Sequence, residues 1–169
     1  MENQSDFEYF PTPSWLVEYL HGRLELKVGD CCLDPFAGKG NLLPRIEEVK
    51  QFAFEVDPEH LSALNDVTIL GLNFFQFKPQ AVMNVVVMNP PFSLQINAYR
   101  LAFDWLSRGG RLVGLASRSP LDYPNSVRHR AFLAWLKEKK ASIQELPFGC
   151  FLNGEIPTSV EIVLIQINK

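Results

Sequence analysis

Val82-Met83-Asn84-Val85-Val86-Val87-Met88 is the most apolar segment of the chain, and it runs directly into Asn89-Pro90-Pro91-Phe92. A short run without polar alternation suits a central parallel strand, buried on both faces. From Ala81 to Met88 it is far too short to span a bilayer. Its position decides the fold, because strand-like and helix-like segments alternate on both sides of it.

Upstream, residues 13–22 read as a short helix entered at a proline. Residues 30–34 read as a buried strand, 41–49 as a helix in spite of Pro44, and 51–56 as a second strand. Asp57-Pro58 opens a helix to about Leu64, and Val67 to Leu70 is a third strand. Downstream, residues 94–107 carry a helical apolar stripe and Arg111 to Ala116 form a fifth strand. Residues 126–140 are a helix, and Ser142 to Leu146 and Ser159 to Ile167 are the last two strands. A loop from Gly149 to Thr158 joins those two with no helix between them, so they pair antiparallel. The expected fold is α/β: a seven-stranded, mostly parallel sheet with one antiparallel strand and helices on both faces. Ligands of such sheets sit beyond the carboxyl ends of the strands.

With 169 residues, the chain (1–169) is read as a single domain with one core. Its 47% apolar and 21% charged content excludes a disordered or fibrous class. The Met1 to Asp6 segment lacks the basic and apolar regions of a secretory signal, and no membrane association is expected. Three cysteines, two adjacent and none spaced Cys-x-x-Cys, speak against a disulfide framework and a zinc site. A reducing, cytoplasmic setting follows. The net charge of −3 argues against a free-standing basic DNA-binding face, so any grip on nucleic acid must be local or supplied by a partner.

The first strand ends in Asp34-Pro35-Phe36-Ala37-Gly38-Lys39-Gly40. Gly38 and Gly40 permit a tight turn and a close approach of backbone to ligand. The third glycine of the dinucleotide fingerprint is replaced by Leu43, which disfavours NAD, and no Walker A lysine–hydroxyl pair occurs. Asp34 is placed to take an ammonium group, directly or through water. Glu55 ends the second strand, where a carboxylate can accept both hydroxyls of a ribose, with Val56 beside it. Asp57 reads as the N-cap of the next helix. Asn73, after the third strand, offers an amide donor and acceptor to an adenine edge, followed by Phe74.

Two prolines in series fix the backbone and remove two N–H donors. What remains at residues 89–92 is a rigid row of carbonyls beside the Asn89 amide, then the Phe92 ring. An exocyclic amine is a poor nucleophile because its lone pair is delocalised into the ring. Hydrogen bonds from its two N–H groups to Asn89 Oδ1 and the Pro90 carbonyl favour a tetrahedral nitrogen, which can attack a sulfonium methyl in line. Phe92 would stack on the base and stabilise developing positive charge. Such catalysis is positioning plus electrostatics.

These elements together resemble the N6-adenine DNA methyltransferase family of restriction–modification systems, in the arrangement where cofactor motifs precede the catalytic one. The resemblance runs from about residue 8 to 167. Phe10-Pro11-Thr12-Pro13 resembles the family's aromatic-x-Thr-Pro element, and on that basis Phe10, Thr12 and Pro13 contact the methionine end of the cofactor. Asp34 to Leu43 resembles the glycine-rich cofactor loop, which also brings in Phe36. Glu55 resembles the ribose-binding acid, and Asn73-Phe74 stands where the family has Asp-Phe. Asn89-Pro90-Pro91-Phe92 matches the catalytic motif in full. Leu146 to Phe151 resembles the segment that sets a second aromatic, Phe151, against a flipped base. The resemblance implies a Rossmann-like class I methyltransferase fold and S-adenosyl-L-methionine as cofactor. It further implies nucleic acid as partner, DNA before RNA; with no target-recognition domain beside the motifs, sequence choice comes from a separate specificity subunit, from a short loop, or does not exist.

Residues 117–130 read as a long loop on the ligand side, with Arg118, Arg128 and Arg130 for phosphates and Tyr123 for stacking. His21, His60 and His129 show no catalytic spacing and read as structural or surface residues. Three functions stay open: adenine-N6 methylation of DNA; methylation of RNA or of a protein glutamine amide, whose chemistry is the same; and a catalytically silent binding or anti-restriction module.

Overall fold

The computed structural model describes residues 10–152 and 158–169. The Met1 to Asp6 segment and the middle of the loop from Gly149 to Thr158, both used in the sequence reading, lie outside the described residues. Seven strands form one sheet: β1 (Cys31–Asp34), β2 (Lys50–Phe54), β3 (Thr68–Gly71), β4 (Met83–Met88), β5 (Leu106–Ser117), β6 (Ser142–Glu145) and β7 (Ile162–Asn168). Their spatial order is β3-β2-β1-β4-β5-β7-β6. All neighbours pair parallel up to β5, and β7 runs antiparallel to both β5 and β6. The sheet is thus the mostly parallel one expected, with β7 reversed.

β4 sits at the centre, with Val85 to Met88 buried. The amide that interrupts its apolar run is structural, because Asn84 Oδ1 accepts the Cys31 N–H at 2.9 Å and ties β4 to β1. Helix α1 (Ser14–His21) buries Leu16 and Leu20 on one face of the sheet, with Cys32, Val85, Val87 and Phe151. Helices α3 (Gln95–Trp105) and α5 (Val127–Glu138) cover the other, with Tyr99, Ala102, Trp105, Phe132 and Leu136 against Leu33, Phe54 and Val86. Asp57 caps the short α2 (Pro58–Leu61), accepting from the Glu59 N–H. Ser126 caps α5 by accepting from the His129 N–H.

Two segments differ from expectation. Residues 41–49 form turns rather than a helix. Pro44 has no N–H to give a helix, and Arg45 adopts a left-handed φ of 48°. Leu42, Leu43 and Val49 are buried all the same. Residues 117–130 are not one long loop, because Ser119–Asp122 forms a short helix, α4, and α5 begins at Val127. No helix among the described residues is long and apolar enough to cross a membrane. Cys31, Cys32 and Cys150 are free thiols.

α3 lies very close to β5. A Cβ at Gly114 would stand 2.6 Å from Tyr99 Oη and 3.1 Å from Met88 Cγ, and Tyr99 is fully buried with its hydroxyl donating to the Leu115 carbonyl. Gly114→Ala is therefore expected to destabilise the fold by about 1–3 kcal/mol through overpacking. Urea titration would measure it; an unchanged midpoint would mean that α3 can shift without cost.

Candidate active site

The carboxyl ends of β1, β2, β3 and β4 open into a cavity of about 340 Å³. Asp34, Phe36, Gly38, Glu55, Val56, Asn73, Phe74, Asn89 and Pro91 line it, and so do Phe10 and Thr12 from the segment before α1. The sequence motifs thus converge on one hollow, where strand ends place them.

Asp34 is 1% exposed. Its Oδ1 accepts the Phe36 N–H at 3.0 Å, while Oδ2 is buried with no partner. Burial pushes this carboxyl up to about 7, against the Phe36 N–H, which lowers it; the Glu55 charge adds to the rise. A buried acceptor without a donor is costly, and a cationic or N–H donor in the cavity would satisfy it. Glu55, 6% exposed, accepts from the Gly38 N–H through Oε2 and from the Asp57 N–H through Oε1. A carboxylate has about four acceptor positions, so both oxygens can still receive hydroxyl groups. Gly38, with φ 52°, supplies the turn that brings its N–H to Glu55.

The far wall is apolar. Phe36 packs edge-on to Phe74 with ring centroids 5.6 Å apart, and Phe75 lies 5.9 Å from Phe36. Val56, Leu72, Phe75 and Leu94 are all partly open to solvent around the mouth. Flat apolar surfaces with a few converging polar groups suit a heteroaromatic ligand. Asn73 Oδ1 accepts the Phe75 N–H at 3.0 Å and caps a short 3-10 turn, so the amide NH2 is the end it can offer a ligand.

At the end of β4, both N–H bonds of the Asn89 amide are used. Nδ2 donates to the Phe10 carbonyl at 2.9 Å and to Thr12 Oγ1 at 3.2 Å. Oδ1 accepts no hydrogen bond from the described residues. Pro90 is buried behind it, and the Phe92 ring stacks on Phe10 with centroids 6.0 Å apart and planes 11° from parallel. Phe92 packs on the α1-side core and stands beside the cavity rather than in its lining.

Several candidates sit elsewhere. Gly40 does not line the cavity; with φ 81° it lets Leu64 and Arg45 approach where a Cβ would lie, which is a turn function. Pro13 is the N-cap of α1 and also stays outside the lining. Phe151 is fully buried in the α1-side core, because that sheet face needs a large apolar cover. It therefore offers no face to a base, whereas Phe148 in the same segment is 74% exposed. Arg118 is ion-paired to Asp122 at 2.6 Å and to Glu145 at 3.0 Å, so its charge is committed within the protein. Arg130 reaches back to the Pro124 carbonyl, and Arg128 and Tyr123 are exposed beyond the end of β5.

Two participants escaped the sequence reading. His60 lines the cavity, with Nδ1 3.6 Å from Glu55 Oε1 and 3.8 Å from Asp57 Oδ2. The signal was its place on the short helix opened by Asp57. Gln95 is 2% exposed, and its Oε1 accepts the Ser117 N–H at 2.7 Å, tying the residues after Phe92 to the end of β5. Nothing local in the sequence marks that contact. Among the described residues no group of three or more His, Cys, Asp or Glu could hold a metal ion.

No family model matches the chain, and no curated protein matches it. Solved structures do. The EcoKI M protein of a type I restriction enzyme superposes with a TM-score of 0.75 at 16% identity, covering 98% of this chain and 45% of that one. A modification subunit of a putative type I restriction enzyme from Vibrio vulnificus YJ016 gives 0.71 at 15% identity, again 98% and 45%. Geranyl diphosphate methyltransferase, solved in complex with SAM, gives 0.64 at 14% identity, covering 92% and 84%. The chain therefore has the Rossmann-like fold of class I methyltransferases, and it spans less than half the length of the two modification subunits.

Proposed function

We propose that this chain uses S-adenosyl-L-methionine to methylate the exocyclic N6 amine of adenine in DNA. The observation that carries the reading is the Asn89 amide. With both N–H bonds held by the protein, its open end is an acceptor, at the mouth of a cavity that suits a nucleoside. An acceptor fixed there selects a substrate that brings N–H groups.

Asp34 Oδ2 would receive the methionine ammonium, directly or through a water. Glu55 would take the ribose hydroxyls. Val56, Leu72 and Phe75 would enclose the adenine, with the Asn73 NH2 at its edge. The cofactor would supply a methyl group on a positively charged sulfur. The chain's own part is to hold the amine against Asn89 Oδ1 and the Pro90 carbonyl, so that its lone pair points at that methyl. Asp34, Phe36, Gly38, Glu55, Val56, Asn73 and Phe74 are accordingly assigned to the cofactor, and Asn89 to Phe92 to the reaction.

DNA is favoured by the likeness to two modification subunits of restriction enzymes. A modification subunit is one part of a multi-subunit enzyme, and on that likeness we assign sequence choice to a separate specificity subunit. The second reading, a protein glutamine amide, is supported by Arg118, whose pairing with Asp122 and Glu145 removes one cation from the substrate side; RNA, as anionic as DNA, gains nothing from it.

The test is transfer of labelled methyl from S-adenosylmethionine to unmethylated DNA, RNA and protein extract in parallel. N6-methyladenine in DNA, absent with Asn89→Ala, is the expected result. Label confined to RNA or protein would replace the substrate, cofactor binding with no transfer to any of the three would point to a missing partner or a retired active site, and no cofactor binding would favour a silent module.

A further inference from the structure

The segment before α1 does more than line the cavity. An amide NH2 has two donors, and those of Asn89 go to two acceptors on that segment: the Phe10 carbonyl and the Thr12 hydroxyl. Turned over, the amide would set its own oxygen against the Phe10 carbonyl oxygen at about the same 2.9 Å separation, which is repulsive. Thr12 is 8% exposed, and Pro11 before it is buried. Pro13 after it starts α1, its carbonyl accepting from the N–H groups of Leu16 and Val17. Thr12 is thereby anchored through α1 to the sheet face that holds Leu16 and Leu20.

We infer that Thr12 is a positioning residue for Asn89: the Phe10 carbonyl, which can only accept, sets which end of the amide faces the substrate amine, and the Thr12 hydroxyl, as second acceptor, holds the amide in that place. This rests on the function proposed above, and it differs from a methionine contact, the role that the family resemblance implies for the same residue. A methionine contact acts on cofactor affinity. A lock on Asn89 acts on the chemical step and leaves cofactor affinity alone.

Thr12→Val keeps the shape and removes the acceptor, and Thr12→Ser restores it. In the full chain, Thr12→Val is expected to lower kcat for methyl transfer about tenfold, the worth of one hydrogen bond. KM for DNA and Kd for S-adenosylhomocysteine should stay within about twofold of the unaltered chain. Thr12→Ser should recover most of the rate. A second readout needs no turnover. The Asn89 side-chain NH2 signal in nitrogen–proton correlation spectra, assigned by its absence in Asn89→Ala, should shift and lose protection from exchange in Thr12→Val. A tenfold rise in Kd with kcat unchanged would overturn the inference, as would an Asn89 signal indifferent to Thr12. If the unaltered chain transfers methyl to nothing, a missing partner or a retired site is the cause, and the Asn89 signal alone then decides whether Thr12 holds that amide.

Discussion

Asn89→Ala is expected to cut kcat for methyl transfer by about 10²–10³-fold, roughly 3–4 kcal/mol of transition-state stabilisation, with Kd for S-adenosylhomocysteine changed by less than about threefold. The split follows from what the side chain touches. Its Nδ2 is taken by Phe10 and Thr12, and its Oδ1 accepts from no described donor. Alanine therefore deletes an acceptor that the proposed reaction needs as the amine nitrogen becomes tetrahedral. The cofactor's charged and ribose contacts, assigned to Asp34 and Glu55, stay in place. Two acceptors on the α1 side lose their donor, a cost of about 1 kcal/mol that water from the cavity can reduce. The backbone should hold, because Pro90 is buried and the Gln95 side chain ties the following turn to Ser117. Single-turnover rates and calorimetric binding on the same preparations separate the two effects. A rate within threefold of the parent would remove Asn89 from the reaction.

The framework was legible because its signals are local. A buried apolar strand followed by Asn-Pro-Pro-Phe, a glycine turn after an acid, and a carboxylate at the next strand end each report on a few neighbouring residues. Parallel pairing then brought them to one edge, as the general rule for such sheets requires. What failed was orientation and long-range pairing. Phe151 occupies a position where the resemblance expects an exposed ring, yet sequence spacing carries no information on which side of a loop an aromatic falls, and it turned into the core. The Asp122 partner of Arg118 lies four residues away and could have been foreseen; Glu145, on the edge strand β6, could not. In residues 41–49, Leu42, Ile46 and Val49 repeat at helical spacing, yet turns bury Leu42 and Val49 and leave Ile46 exposed. Pro44 was the better guide.

Asp34→Asn is expected to make the protein more stable at pH 8 and to weaken its binding of the cofactor. Burial lifts the Asp34 carboxyl from 3.8 to about 7 in the folded chain. Between those values the native state holds a proton that the unfolded chain has released. Stability consequently falls as pH rises through this window, and above it the folded protein carries a buried charge whose Oδ2 no donor meets. The gap corresponds to roughly 4 kcal/mol. The amide introduced by Asp34→Asn would stay neutral at every pH and can still accept the Phe36 N–H, while its own buried donors go as unmet as the proton of the neutral acid. Variant and parent should therefore melt together near pH 4 and diverge upward. The difference should reach roughly 8 °C or more by pH 8. A pH-independent difference in melting temperature would mean that Asp34 ionises as an ordinary carboxylate. Binding should move the opposite way. Only the ionised acid attracts an ammonium group, so the parent's affinity for S-adenosylhomocysteine should rise about tenfold per pH unit below 7 and level off above it; the Asp34→Asn variant should bind weakly throughout. Stability surrendered at a residue that the fold does not otherwise need, and recovered when a cation arrives, is the relation expected of a binding site and not of a structural carboxylate. A structural role for Asp34 would require the substitution to weaken the fold at pH 8, and that result would separate the two.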